Sequence, residues 1–249
     1  NQALPLGNGR LGAMVFGTPA VEHLQLNEET IWAGSPNSNA HKLEDGVLNK
    51  VRQLIFEGKY VEAQDLATVK IMSPKNHGMP YQTMGDLFLS FPGHNEYTYF
   101  YRDLDISNAI ASVSYKINGV TYKREMFTSF TDQAIVVKLT ADKPKSISCN
   151  VFLTTPQEKV ERMIEGDQLV LTAITPAHEK QSGKVQLETR IKPKVTGGKY
   201  TVSDDIISIE NADEAILYIA IATNFVNYKD ISGNKTQKCK EYIKKAFQN

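Results

Sequence analysis

These 249 residues hold little of what usually marks a catalytic centre. There are only two cysteines, Cys149 and Cys239, far apart in the chain. Cys149 alternates with Ile147, Val151 and Leu153 as an inward-facing strand residue would, so a buried free thiol is expected rather than a disulfide. The five histidines, His23, His41, His77, His94 and His178, are scattered without ligand spacing, and no metal is expected. No G-x-S-x-G elbow or Walker loop occurs, so covalent catalysis and nucleotide hydrolysis have no support. No cofactor is expected either. Lys plus Arg and Asp plus Glu both number 28, which removes the electrostatic case for nucleic acid, an anionic membrane face or a polyanionic substrate. No apolar run is long enough to span a membrane. The chain opens at Asn1 without Met or an apolar leader, as an excised mature segment would.

The stretch from residue 3 to 34, ALPLGNGRLGAMVFGTPAVEHLQLNEETIWAG, is dense in residue choices that strand formation alone does not require. Leu11, Ala13 and Val15 alternate with Gly12, Met14 and Phe16 as one strand, Gly17-Thr18-Pro19 turns, and a second strand runs around His23 to Leu26. Gly7-Asn8-Gly9 suits a tight bend. The segment from Gly7 to Gly12 also fits G-x-G-x-x-G, but a dinucleotide site needs a strand before it and a helix after it. A strand follows instead and Pro5 precedes, so the bend reads as structural. Further on, Glu28 and Glu29 are adjacent on extended chain and point to opposite faces, so they cannot serve together as an acid/base pair. Local structure favours Asn27 or Glu28 capping a turn and Trp32 packed inside.

The LPLGNGRLGAMVFG segment followed by LQLNEETIWAG resembles the opening of glycoside hydrolase family 95, the α-L-fucosidase and α-L-galactosidase family. Three later segments agree in order and spacing: Val51 to Ile55 with Gly58 to Ala63, Tyr81 to Leu87, and Tyr101 to Ile106. The resemblance implies a β-supersandwich over residues 1–232, and over 233–249 the start of a helical linker to an (α/α)6 barrel that carries the catalytic carboxylates. No segment here matches the barrel, so no catalytic residue carries over to this chain. It further implies a bacterial, periplasmic or extracellular protein whose partners are its own barrel and a fucosylated or L-galactosylated glycan.

Along the chain, Val47, Val51, Leu54 and Ile55 form a helical stripe, Gly58 breaks it, and Tyr60, Ala63 and Ala67 begin another, giving two short helices near residues 43–70. Residues 72 to 82 read as a loop containing His77. From Gly85 onward short strands follow at regular spacing, with Asn118-Gly119 a strong hairpin signal, as in a large antiparallel β-sandwich. Ala215 to Ala222 is apolar on both faces and reads as a central covered strand. Cys239, Tyr242, Ile243, Ala246 and Phe247 make one face of a tail helix, which either docks on the sheet or continues as a linker, the resemblance favouring the linker.

Three readings follow. The first is a non-catalytic N-terminal domain of an inverting α-L-fucosidase-like enzyme, supporting the barrel and the substrate cleft. The second is a stand-alone carbohydrate-binding sandwich holding sugar on Trp32, Tyr97, Tyr99 or Tyr101, the three tyrosines sharing one face if their segment is a strand. The third is a purely structural module, which predicts an exposed apolar patch near the motifs and the tail helix. Asn27, Glu28, Trp32, His77, Tyr81 and Gln82 are the candidates for substrate binding or the domain interface.

Overall fold

The structure, a computed structural model, describes residues 2–38, 40, 42–73 and 78–248. Its elements in chain order are β1 (Leu4–Gly7), β2 (Leu11–Val15), β3 (Val21–Glu28), α1 (Val47–Phe56), α2 (Tyr60–Lys70), β4 (Gly85–Ser90), β5 (Thr98–Asp105), β6 (Ile110–Ile117), β7 (Val120–Ser129), β8 (Ala134–Ala141), β9 (Ile147–Thr154), β10 (Glu158–Glu165), β11 (Gln168–Ile174), β12 (Gln186–Thr196), β13 (Lys199–Ser203), β14 (Ile206–Ala212), β15 (Glu214–Thr223) and α3 (Lys235–Gln248). They fall into two compact units, one made of the chain up to Ser35 and from Pro80 onward, the other of Pro36 to Met79.

The larger unit is the antiparallel β-sandwich that the strand spacing predicts. One sheet runs β1-β2-β3-β4-β9-β14-β13, the other β10-β11-β12-β15-β8-β7-β6-β5. Alternate residues of each strand enter one shared core. Leu24, Leu26, Leu87, Leu89 and Val151 come from the first sheet, and Val113, Met126, Val137, Leu217 and Ile219 from the second. Each fully buried side chain of this size contributes roughly 1.5–3 kcal/mol from removed apolar surface. Asn118 and Gly119 both take positive φ, 48° and 75°, which matches the two-residue hairpin joining β6 to β7.

β15 is apolar on both faces because both are covered. Leu217 and Ile219 face the sandwich core, while Tyr218, Ala220 and Ala222 meet Cys239, Ile243 and Ala246 of α3. The tail helix therefore docks on the outer side of the second sheet. Asn234 accepts a hydrogen bond from the backbone N–H of Gln237 and caps the start of α3. Both cysteines are buried and free.

The sequence reading passes over several strands. β1 precedes the Gly7-Asn8-Gly9 bend and tolerates Pro5 because it lies at a sheet edge. β10 and β13 end the two sheets, and β10, EKVERMIE, is exposed along most of its length, so no alternation marks it. In β5 the register slips between Thr98 and Tyr101, where Tyr99 takes φ 52°. This bulge breaks the alternation that was expected to place Tyr97, Tyr99 and Tyr101 on one face.

In the smaller unit α1 and α2 bury Val51, Leu54 and Ala63, with Leu66, Ala67 and Ile71 partly buried against them. Gly58 separates the helices at φ 75°, a conformation that favours glycine. Among the described residues no helix is long and apolar enough to cross a membrane.

Candidate functional site

The bend after β1 is built by Asn8. Its Oδ1 accepts the backbone N–H groups of Arg10 (3.0 Å) and Leu11 (2.7 Å), its Nδ2 donates to the Ser129 carbonyl (2.8 Å), and Gly9 turns at φ 93°. With those donors engaged and strand β2 following, the bend offers no phosphate cradle. Its effect is to aim Arg10. The guanidinium donates to Glu28 Oε1 (3.2 Å) and the Ile221 carbonyl (2.8 Å) through Nη1, to Gln133 Oε1 (2.6 Å) through Nε, and to the Gln133 carbonyl (3.1 Å) through Nη2. It also lies 4.7 Å from the ring centroid of Tyr242. One side chain thus ties the bend to β3, β15, the start of β8 and α3.

Strand β3 reads Glu22-His23-Leu24-Gln25-Leu26-Asn27-Glu28, and its inward positions begin and end with carboxylates. At the far end Glu22 pairs with Arg124 at 3.1 Å. At the near end Glu28, 3% exposed, pairs with Arg10 and accepts both the backbone N–H (2.8 Å) and the hydroxyl (2.7 Å) of Thr30 through Oε2. Burial raises the Glu28 pKa against the pull of the Thr30 hydrogen bonds and of Arg10. Thr30 continues to the Thr223 hydroxyl at 2.5 Å, and Lys238 Nζ donates to the carbonyls of Thr223 (3.2 Å) and Phe225 (2.8 Å). These groups line an open cavity of about 230 Å³ whose wall also includes Glu29 and Val226.

Beside Glu29 the chain turns outward. Trp32, expected to be packed, is 43% exposed, and its indole N–H donates to the Glu29 carbonyl at 2.9 Å. Its interior place is taken by Ile31 and Ala33, both buried. Trp32 and Tyr81 form an antiparallel bridge, and their rings meet edge to face at 5.2 Å between centroids. The Tyr81 hydroxyl, whose pKa burial and the nearby Glu28 and Glu29 raise, donates to the Glu28 carbonyl at 3.1 Å. Backbone bonds from Gln82 N–H to the Ile31 carbonyl (2.9 Å) and from Ala33 N–H to the Pro80 carbonyl (3.0 Å) hold the two segments together.

The structure thus brings Glu28, Trp32, Tyr81 and Gln82 to one end of the sandwich. Asn27 is half-buried, opposite Gly12, on the other face of β3 from Glu28. His77 lies outside the described residues. Glu28 caps a turn, as expected; Glu29 lies on that turn rather than on extended chain, and is exposed where it borders the same cavity. Sequence reading missed Arg10, Thr30, Thr223, Lys238 and Tyr242. The available signal was an inward carboxylate on a strand, which demands a cationic partner. Among the described residues no group of three or more His, Cys, Asp or Glu is placed to hold a metal ion. The arrangement is an aromatic ledge backed by a buried ion pair. It presents ring faces and a polar wall, while the carboxylate behind it is committed to Arg10 and Thr30.

Over residues 1–228 the chain matches the family described as glycosyl hydrolase family 65, N-terminal domain. It is 33% identical to an α-L-fucosidase 2 of Arabidopsis thaliana, across 90% of this chain and 29% of that protein. It is 27% identical to a probable α-fucosidase A of Aspergillus niger, across 56% of this chain and 18% of that protein. A putative kojibiose phosphorylase from human microbiome, with a TM-score of 0.55 at 9% identity, covers 99% of this chain and 33% of its own length, which is a likeness of fold. The curated relatives are α-fucosidases, in line with the sequence resemblance, although the family description bears the number 65 rather than 95. The chain spans less than a third of the length of these curated relatives.

Proposed function

This chain belongs to the family of glycosyl hydrolase N-terminal domains and is related to α-fucosidases, and from that premise we propose that it is the non-catalytic N-terminal domain of an inverting α-L-fucosidase-like hydrolase. In this reading a catalytic barrel, supplied by the rest of the protein, sits against the end of the sandwich that carries Arg10, Glu28, Trp32 and Tyr81. The Trp32–Tyr81 ledge borders the substrate cleft and meets the apolar face of a fucosylated or L-galactosylated glycan, with Gln82 beside it.

The observation that carries this is the commitment of Glu28. An inverting glycosidase needs an acid and a base about 6.5–9.5 Å apart, both open to the bond being cut. Glu28 is buried against Arg10 and Thr30, and its neighbour Glu29, exposed on the turn after β3, has no buried partner carboxylate free to work with it. The motif residues are spent on rigidity and on an exposed ledge, which suits support of a site better than chemistry within it. Exposed apolar side chains at the same end, Val226 and Phe130 with Trp32 and Tyr81, fit a surface that another domain covers.

The test compares this chain with the full-length protein on 2′-fucosyllactose. Turnover by the full-length protein alone is expected, and turnover by the 249-residue chain would overturn the non-catalytic assignment. In the full-length protein, Trp32→Ala with Tyr81→Ala should raise KM roughly tenfold, the loss of about 1.4 kcal/mol of ring contact. An unchanged KM would remove the ledge from the cleft.

A further inference from the structure

A second aromatic surface lies at the other end of the sandwich. β5 is the edge strand of its sheet, and Arg102 on β5 donates to the Phe16 carbonyl at the β2–β3 turn, the end of β3 opposite Glu28. Tyr99 is 83% exposed and Tyr101 63% exposed. Tyr101 pairs with Ser114 and Thr98 with Lys116, so Tyr101 and Lys116 stand on the outer face of the sheet. Lys116 Nζ lies 5.8 Å from the Tyr99 ring centroid, which places Tyr99 beside them. Tyr97 and Phe100 pack together at 5.6 Å and brace the strand from the side of Tyr115.

Two features separate this patch from an ordinary edge. Tyr99 holds φ 52°, a left-handed conformation that costs a bulky residue about 1 kcal/mol and glycine almost nothing. Bulge geometry alone is thus better served by glycine. Among the described residues, moreover, neither the Tyr99 nor the Tyr101 hydroxyl hydrogen-bonds to protein, so each ring offers an open face and a free donor and acceptor. The bulge twists the edge away from pairing with another strand, which disfavours a second copy as the occupant. Of the cations on this face, Lys123 is paired with Glu125, and the zero net charge of the chain further disfavours nucleic acid. Open ring faces, free hydroxyls and little net charge match the alternating C–H faces and hydroxyl edges of a sugar chain.

We propose that Tyr99 and Tyr101, flanked by Lys116, form a glycan-binding surface at the opposite end of β3 from the Trp32–Tyr81 ledge, holding a neutral oligosaccharide. The proposal leans on the glycosidase reading only for the choice of probes, because it is tested by binding to this chain and not by turnover. The 249-residue chain is titrated with 2′-fucosyllactose, xylohexaose and mannohexaose, following the tyrosine ring resonances by NMR, with a heparin hexasaccharide as the anionic comparison. At least one neutral probe should shift the Tyr99 and Tyr101 rings saturably, and Tyr99→Ala with Tyr101→Ala should weaken that binding about tenfold or more. Tyr99→Gly should weaken binding while raising the unfolding temperature, which a purely structural tyrosine would not do. Absence of saturable shifts with all three neutral probes, binding of heparin alone, or binding unchanged in the double variant would each overturn the proposal. Trp32→Ala should leave the shifts intact, and their loss in that variant would place the bound sugar at the other ledge and equally overturn it.

Discussion

Replacing Arg10 by Met keeps the length and apolar stem of the side chain and removes the charge. Glu28 would then keep only the two Thr30 hydrogen bonds in a site it leaves 3% exposed. Gln133 and the Ile221 carbonyl would lose their partner as well. Breaking a buried pair on one side costs about 3–5 kcal/mol, since the remaining charge is uncompensated. In a domain of this size that lowers the unfolding temperature by roughly 10 °C. Glu28→Gln should cost less, about 1–2 kcal/mol, because Arg10 retains Gln133, the Ile221 carbonyl and the Tyr242 ring. The double variant should fall short of the sum by about 1.5 kcal/mol or more, the coupling expected of direct partners. Urea unfolding followed by circular dichroism reads the global loss, and the fluorescence of Trp32, the one tryptophan in the chain, reads the ledge. The sign with pH is also fixed. Glu28 already has a raised pKa in the folded state, so its contribution falls as pH rises from the ordinary carboxylate value through the raised one. Without Arg10 the pKa climbs further and the fall extends to higher pH. A loss under 1 kcal/mol in Arg10→Met, or equal losses in the two single variants, would refute the clamp.

Two further outcomes follow from the structure. His94 is buried between Phe91, Tyr115 and Tyr122, its Nδ1 is 2.8 Å from the Tyr115 hydroxyl, and burial with the Arg124 charge lowers its pKa to about 4. Its folded value lies below the unfolded one of about 6.5, so acidification through that window should cost up to about 3 kcal/mol, and His94→Gln should flatten this part of the pH–stability curve in urea titrations. Gly85, at φ 128°, faces the Thr154 carbonyl so closely that a Cβ would sit 2.1 Å from it. Gly85→Ala should therefore destabilise by about 3 kcal/mol or more, whereas Gly9→Ala, with open space at φ 93°, should cost only about 1 kcal/mol, a contrast that thermal melts resolve.

Alternation along β3, β6 and β9, the Asn118-Gly119 turn and the doubly apolar β15 were legible because each is a local pattern that reports how many faces of a strand are covered. The helical stripe of α3 was legible for the same reason. β10 and β13 were not, because edge strands exposed to water need no apolar period. Trp32 was misread because average burial of a residue type says nothing of one position, and here Ile31 and Ala33 fill the interior.

Sequence by itself determined the class of fold and the buried thiols, since these follow from periodicity, whereas nothing local marked Glu22 and Glu28 as carboxylates buried against cations. Only the tertiary structure decided which cations. Arg10 lies 18 residues before Glu28 and Arg124 lies 102 residues beyond Glu22, and the remaining partners of Arg10 are drawn from the turn before β8, from β15 and from α3. Such long-range meetings are set by which strands neighbour one another in two packed sheets, a property of the whole chain that no local window contains.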